Sequence, residues 1–425
     1  MAIIRPFQGM RYNPSLVGDL SAVVSPPYDV ISPSERIFYH ERHPNNFVRL
    51  ILGEERPKDN RSNNRFTRSK QYLNQWLRDG VLEMDETPAV YVYEQKYKKA
   101  GRTFVIRGFT VLVRIEDYAN GVILPHENTL AKPKSDLIKL IRTTQANYDS
   151  IYGLYPDPDQ EITPMLDNCA AGTPAAEAID KDSVHHRLWI VKDKRRIAQV
   201  AGFLADKEIV IADGHHRYET SLAYRDEMRA LDTSANGDKP YDYVLMTIVN
   251  VYGKDVTIFP THRMVGNLPK DMASGLLSML SSLFNVESVA YNNVTGAMAK
   301  RGGKSIGLIT DEDAHLLTLR AEPQTLIDKP RALCELDLTI LHNLILEDTL
   351  EIDEYCLKNE INLAYTRDEE EAKARVRSGE FQMAFLLNPI KVESVLEVAR
   401  VGEKMPQKAT YFYPKLISGL ALRKM

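Results

Sequence analysis

The segment Ile209-Val210-Ile211-Ala212-Asp213-Gly214-His215-His216-Arg217-Tyr218-Glu219-Thr220 gathers the most chemistry into the fewest residues. An apolar run ends in an aspartate and a glycine, and the helical pattern that follows opens with two histidines and an arginine. A helix start presents N–H groups and the positive end of the helix dipole, so an anion is favoured there. Gly214 allows close backbone approach, and Arg217 carries a fork of donors matched to phosphate. Asp213, at the carboxyl end of a strand, has the chemistry to hold magnesium or to take a proton from a hydroxyl. The purely structural alternative is that Asp213 caps the helix and His215 and His216 pack.

Four further segments carry candidate residues. In Ser25-Pro26-Pro27-Tyr28-Asp29-Val30 the prolines impose an extended backbone that holds Asp29 as a catalytic carboxylate and Tyr28 as a substrate contact, or simply a rigid turn. His126-Glu127-Asn128-Thr129 follows Pro125 and precedes Lys132 and Lys134. That pattern suits Glu127 as a base beside phosphate-seeking lysines, with His126, Asn128 and Thr129 lining the substrate, whereas zinc would need further ligands. His262 and Arg263 follow a short strand ending in Pro260 and have the chemistry to donate to a phosphate and neutralise it. Lys408 and Thr410 lie in a polar-aromatic tail, Met405 to Lys415; if the tail folds back, Lys408 becomes a phosphate partner. His185-His186-Arg187 echoes the main box without its aspartate and glycine and reads as surface. Asp368 to Glu371 reads as a solvated first turn. No Gly-x-x-x-x-Gly-Lys loop and no Gly-x-Ser-x-Gly elbow occurs.

The elements that must position these residues alternate between strand and helix, an α/β (mixed α+β) pattern. Ser32-Pro33-Ser34-Glu35 is a capping box opening a helix to about His43. Phe47 to Leu52 is strand-like, and Arg65 to Asp79 has apolar residues at helical spacing, closed by Gly80. Ala89 to Tyr97 and Arg102 to Ile115 form a hairpin. Helices are expected over about 135–145, 194–204 and 216–231, and strands over 188–191, 208–212 and 241–251. Residues 155–178 read as loop plus a short helix, and 232–238 as a linker. The texture changes near residue 265, giving a division into 1–265, the catalytic part, and 266–425, a second α/β module whose tail returns to the site. In that module strands are expected over 304–310, 314–319, 361–365 and 381–387, with helices over 332–350, from 368, and over 391–400.

The chain has 425 residues, 44% hydrophobic and 26% charged, which excludes disordered, collagen-like and coiled-coil chains. Lys and Arg number 54 against 58 Asp and Glu, a net charge of −4, which disfavours a protein built around nucleic-acid backbones. Three scattered cysteines suit a reducing compartment, and no apolar run is long enough for a membrane span or signal peptide. A cytoplasmic protein acting on a small molecule and a nucleotide is expected, and assembly into a homo-oligomer is compatible with this.

The Asp213-Gly214-His215-His216-Arg217 box after a strand resembles the phosphate-binding box of the ParB/sulfiredoxin-like superfamily, one branch of which is similar to free-serine kinases. The whole chain resembles a bacterial and archaeal family of unknown function often labelled ParB-like, through Ser25 to Val30, His126 to Thr129, the 213–217 box, Pro260 to Arg263 and the Met405 to Lys415 tail. The resemblance implies a nucleotide-binding core carrying a second module, with ATP or ADP as donor and Mg2+ as companion ion. The function it implies is phosphoryl transfer, by a kinase- or phosphatase-type enzyme, to a small hydroxylated metabolite such as free serine or phosphoserine. The alternatives are a nucleotide-responsive ParB-like DNA-binding or regulatory protein, and a metal-dependent hydrolase using His126, His215 and His216.

Overall fold

A computed structural model describes residues 1–425 except 100, 130, 233–236, 302–303, 354 and 357–360; for Ala131 and Lys132 only the backbone is described. The fold is mixed α/β, and the chain divides into two compact units. The first holds Met1–Pro125, Thr129–Val256 and Pro414–Met425, and the second His126–Asn128 and Thr257–Tyr413. No helix among the described residues is long and apolar enough to cross a membrane.

The first unit is built on nine strands: β1 (Ile4–Arg5), β2 (Val90–Lys99), β3 (Arg102–Arg114), β4 (Ile123–Leu124), β5 (Ile151–Tyr155), β6 (Ala176–Ile179), β7 (His185–Val191), β8 (Ile209–Asp213) and β9 (Tyr243–Asn250). They pair in the order β4-β8-β5-β9-β3-β2-β7-β6, with β1 added to β3. Pairing is mixed: β5 runs parallel to β9 and antiparallel to β8. Alternation of period two explains why these segments are strands. Val90 and Val92 enter one core with Val111, Ile151, Ile209, Ile211 and Met246, while Tyr91 and Tyr93 between them are buried on the opposite face. A sheet covered on both faces needs such near-continuous apolar strands.

The longer helices of this unit are α1 (Pro33–Arg42), α2 (Arg65–Arg78), α3 (Ala131–Thr144), α4 (Lys194–Leu204) and α5 (His215–Leu231). Ser32 and Glu35 form the expected capping box on α1, and Asn64 caps α2. Val200 and Leu204 of α4 join the sheet's core. Phe47 to Leu52 is not a strand: Val48–Ile51 forms a helical turn, begun by Asn46, whose Oδ1 accepts from the Val48 N–H at 3.0 Å. That local bond outweighs the weak β preference of valine and isoleucine. His185 and His186 lie within β7. His186 is buried between the Tyr93 hydroxyl, 2.6 Å from Nδ1, and Asp180, 3.0 Å from Nε2, so the surface expectation for this trio is corrected.

The second unit contains β10 (Thr257–Phe259), β11 (His262–Val265), β12 (Phe284–Ser288), β13 (Ser305–Ile309), β14 (Ala314–Leu319), β15 (Leu363–Thr366), β16 (Met383–Leu386) and β17 (Tyr411–Tyr413). Six form a sheet in the order β12-β14-β13-β16-β11-β15, and β10 pairs with β17 as a separate ribbon. Helices α6 (Lys270–Leu280), α7 (Val294–Arg301), α8 (Glu369–Arg377) and α9 (Val392–Arg400) accompany them. Val294 and Met298 of α7 and Ala372 and Val376 of α8 pack with Met264, Ile309, Leu316 and Leu386 of the sheet. The helix expected over 332–350 is broken. Arg331–Cys334 and Asp337–Ile340 are single turns, and Leu341–Glu347 is a wide π-helical turn.

Candidate active site

In the first unit the site is set by the end of β8. The pairing of β8 with β5 slips between Ile211 and Asp213, an irregularity of the kind that re-aims a side chain at the end of a ladder. Gly214 then takes φ +95°, a conformation costly for any residue with a Cβ. A Cβ there would also lie 2.9 Å from Arg217 Nε and Nη2. Glycine is required twice over, for the turn and for the guanidinium laid across it. Gly214, at the N-cap of α5, offers no side chain to cap its first turn, in contrast to Ser32 at α1.

Arg217 is 9% exposed. Its Nη2 donates to Asp213 Oδ2 at 2.8 Å and its Nη1 to the Ser150 carbonyl at 2.5 Å. Its Nε is buried with no hydrogen-bond partner among the described residues. Asp149 Oδ1 and Thr220 Oγ1 are equally unpartnered. All three residues line one cavity of about 50 Å³. A single water needs only ~10–15 Å³, so more than one oxygen-sized group fits there. Lys415 from the terminal segment donates to the other oxygen of Asp213. The tail is pinned by a bridge between Ser25 and Ser418, with N–H to O distances of 3.2 and 2.8 Å, and by Gln95, which donates to the Lys415 carbonyl at 2.8 Å.

Pro26-Pro27 leads on from that bridge, and Tyr28–Val30 follows as a single tight turn. Asp29 is exposed to solvent and lies close enough to Asp213, Arg217 and Lys415 for their charges to act on it. Its pKa is raised, first by desolvation and next by repulsion from Asp213, against the attraction of Arg217 and Lys415. Asp149 is also raised, by burial, with Arg217 opposing. Burial lifts the Tyr28 hydroxyl as well and pushes His216 below the ordinary imidazole value, Asp29 and Glu219 resisting. Beside Tyr28 opens a cavity of about 200 Å³, whose walls include Leu50, Phe66, Leu137 and Leu140 with Arg65 and Asp136.

The expected residues therefore fall into two groups. The first unit brings together Tyr28, Asp29, Asp213, Gly214, His216 and Arg217, with His215 buried at the start of α5. Near them Thr129 Oγ1 donates to Glu219 Oε2 at 2.5 Å, and Lys134 Nζ reaches the same oxygen at 2.9 Å. The side chain of Lys132 lies outside the described residues.

The second unit holds the others. Met405 N–H donates to the His126 carbonyl at 2.8 Å, and His126 Nε2 lies 2.9 Å from Thr410 Oγ1. Glu127 Oε1 accepts from the Lys408 N–H at 3.1 Å. Asn128 is exposed at the end of this loop. His262 is buried in β11, where Nδ1 accepts from the Leu387 N–H at 3.2 Å and burial pushes its pKa down to about 4. Arg263, wholly buried, donates to the carbonyls of Thr261, Gln407 and Lys408 and lies over the Tyr365 ring, burial lowering its pKa to about 10. Lys408 Nζ lies 4.5 Å from the same ring. These residues knit the 126–128 loop, β11 and the tail to one another.

The donor set for magnesium does not fit. Both Asp213 oxygens are taken by cations, and no group of three or more His, Cys, Asp or Glu among the described residues is arranged to hold a metal ion. The arrangement gives no support to the metal assignment to Asp213, and no such group among the described residues includes His126, His215 or His216. Two members of the cluster escaped the sequence reading, Asp149 and Lys415. The signal for Asp149 was a polar Asn147-Tyr148-Asp149-Ser150 stretch directly before a fully apolar strand.

A family model described as "Protein of unknown function (DUF1015)" matches residues 4–339. No curated protein matches the chain. Among solved structures the chain is similar to a conserved hypothetical protein from Pyrococcus furiosus, at 15% identity and a TM-score of 0.36, covering 73% of this chain and 94% of that one. It is also similar to a free serine kinase in complex with AMP, at 14% identity and a TM-score of 0.37, covering 71% and 86%. None of the site's assignments rests on these likenesses.

Proposed function

The chain belongs to the DUF1015 family of proteins of unknown function, and from that starting point we propose that it is a phosphoryl-transfer enzyme acting on a small hydroxylated metabolite at the start of α5. One observation carries this reading. A buried guanidinium with no partner for its Nε among the described residues borders, with Asp149 and Thr220, one small cavity, and Asp213 and Asp29 lie close enough to it to act on its charge, the carboxyls of Asp29 and Asp149 having raised pKa values. Phosphoryl transfer asks a protein for positioning and charge neutralisation more than for covalent chemistry, and these groups supply both.

In this reading Arg217 and the first-turn N–H groups hold the transferred phosphoryl oxygens. Asp213, itself held by Lys415, fixes the guanidinium through Nη2. Asp149, whose pKa is raised by burial, lines the same cavity as Arg217. Asp29, exposed to solvent, takes the proton of the acceptor hydroxyl. The hydroxyl oxygen bonds to phosphorus, the bond from that phosphorus to the nucleotide's bridging oxygen breaks, and the shortened nucleotide leaves. The same groups serve the reverse direction. The apolar cavity beside Tyr28 suits the nucleoside or the body of the acceptor. Free serine as acceptor and ATP or ADP as donor are proposed on the resemblance of the 213–217 box.

The test is turnover with ATP or ADP and L-serine, followed by 31P spectra. Asp213→Asn keeps an acceptor for Arg217 but removes the charge that orients it, so turnover is expected to vanish while the melting temperature stays within a few degrees. Undiminished turnover in Asp213→Asn contradicts the assignment.

A further inference from the structure

The broken helix of the second unit runs from the turn Asp337–Ile340 into the π-helical turn Leu341–Glu347. Leu338, Ile340, Leu341, Leu344, Ile345 and Leu346 are buried, as a core helix requires. Thr339, His342, Asn343 and Glu347 interrupt this run at spacings of three and four, which puts them on one face. All four line a cavity of about 470 Å³, within the usual size range for small-molecule sites. Its other walls include Lys329 and the tail segment Lys404–Gln407. Every one of these residues belongs to the second unit.

Three polar atoms of that face have no hydrogen-bond partner among the described residues: Thr339 Oγ1, His342 Nε2 and Asn343 Oδ1. Thr339 is 1% and His342 5% exposed. An unmatched buried hydroxyl or ring nitrogen destabilises the fold, so three along one wall are expensive for a merely structural role. Asn343 Nδ2 donates to Glu347 Oε2 at 2.9 Å, and because a carboxylate only accepts, the amide is fixed with its oxygen open. Burial pushes the His342 pKa well below the ordinary imidazole value, with Arg263 and Lys329 adding to the effect. Wide π-turns recur at functional sites because they push side chains out of the regular helical ladder.

We infer that this cavity is a binding site for a small zwitterion of the amino-acid class. Asn343 Oδ1 and Glu347 match an ammonium group, Thr339 and His342 match a hydroxyl or an oxyanion, and Lys329 and Lys404 supply positive charge for a carboxylate or phosphate. The chemistry shared by its candidate ligands is an amine and an oxyanion on one small carbon frame. A phosphorylated and a free amino acid both meet it, and inorganic phosphate meets only half.

Titration calorimetry on the full-length chain carrying Asp213→Asn, so that the first unit's cluster is disabled, tests this with L-serine, O-phospho-L-serine and inorganic phosphate. At least one of the two zwitterions is expected to bind at one site per chain, with inorganic phosphate weaker by about tenfold or more. Adding Lys404→Glu or Thr339→Val is expected to weaken the zwitterion by about tenfold. Thr339→Val removes an unmatched hydroxyl without changing shape, so the melting temperature of the unliganded protein should hold or rise. Binding of neither zwitterion, binding of phosphate as tight as theirs, or affinity unmoved by both substitutions overturns the inference. So does a fall in the melting temperature of the Thr339→Val protein large enough to show that the hydroxyl is structural.

Discussion

Replacing Gly214 by alanine perturbs two things at once, and Gly121 separates them. Gly121 sits at φ +65° with nothing within 4 Å of where an added methyl would sit, so alanine there meets backbone strain alone. That strain is worth about 1–2 kcal/mol. At Gly214, φ is +95° and the same methyl lies 2.9 Å from Arg217 Nε and Nη2 and 3.0 Å from Cζ. Such contacts are closer than real carbons approach, so the guanidinium must move and its 2.8 Å bond to Asp213 must loosen. If Arg217 grips phosphate, the lost charge-assisted hydrogen bond is worth about 1.5–3 kcal/mol, or roughly ten- to a hundredfold in affinity. The assay is calorimetric titration of ADP into the wild-type protein, Gly214→Ala and Gly121→Ala, alongside urea unfolding. Both variants should lose stability, but only Gly214→Ala should lose ADP. If Gly214→Ala binds ADP as the wild-type protein does, the guanidinium is not the gripping group.

Asp29→Asn should abolish turnover and raise stability near neutral pH, checked by thermal melts at pH 7. The folded-state pKa of Asp29 is raised, so its ionisation costs stability as pH climbs above the usual carboxylate value, and asparagine escapes that cost. His262 behaves in the opposite sense. Its pKa is pushed down to about 4, so its contribution is complete above the ordinary value of 6.5 and is lost as pH falls from there toward 4. Urea unfolding of His262→Asn should accordingly show a shallower loss between pH 6.5 and 4 than the wild-type protein, and equal slopes would contradict the assignment. Arg263→Met leaves the Thr261, Gln407 and Lys408 carbonyls without their donor and should cost about 2–4 kcal/mol in denaturant titration.

Much of the fold was legible where the signal is local. The Ser32 to Glu35 box starts a helix by its own hydrogen bonds, the 90–114 hairpin alternates, and the strand-to-helix turn at Gly214 follows from one glycine between an apolar run and a helical pattern. Phe47 to Leu52 misled because its valine and isoleucine signal strand while Asn46, one residue upstream, supplies the helical start. The helix expected over 332–350 has the right apolar content, but its polar stripe and π-turn are tertiary features that periodicity does not report. At the site, Asp213 and Arg217 were visible because they are four residues apart. Asp149 and Lys415 were not, since they reach Arg217 and Asp213 from 68 and 202 positions away along the chain. His126, Glu127, His262 and Arg263 have the residue types of a phosphate site, yet their bonds go to Thr410, the Lys408 N–H, the Leu387 N–H and the tail carbonyls. Residue type alone does not separate a group that grips a ligand from one that ties down a chain segment.

The central claim is that the turn after Ala212 holds a phosphoryl group. A crystal structure of the chain grown with ADP measures this without recourse to turnover. The account predicts phosphate density within hydrogen-bond reach of Arg217 and the first-turn N–H groups of α5. ADP density elsewhere in the chain, with the Arg217 side chain unmoved and no phosphate beside it, would contradict it.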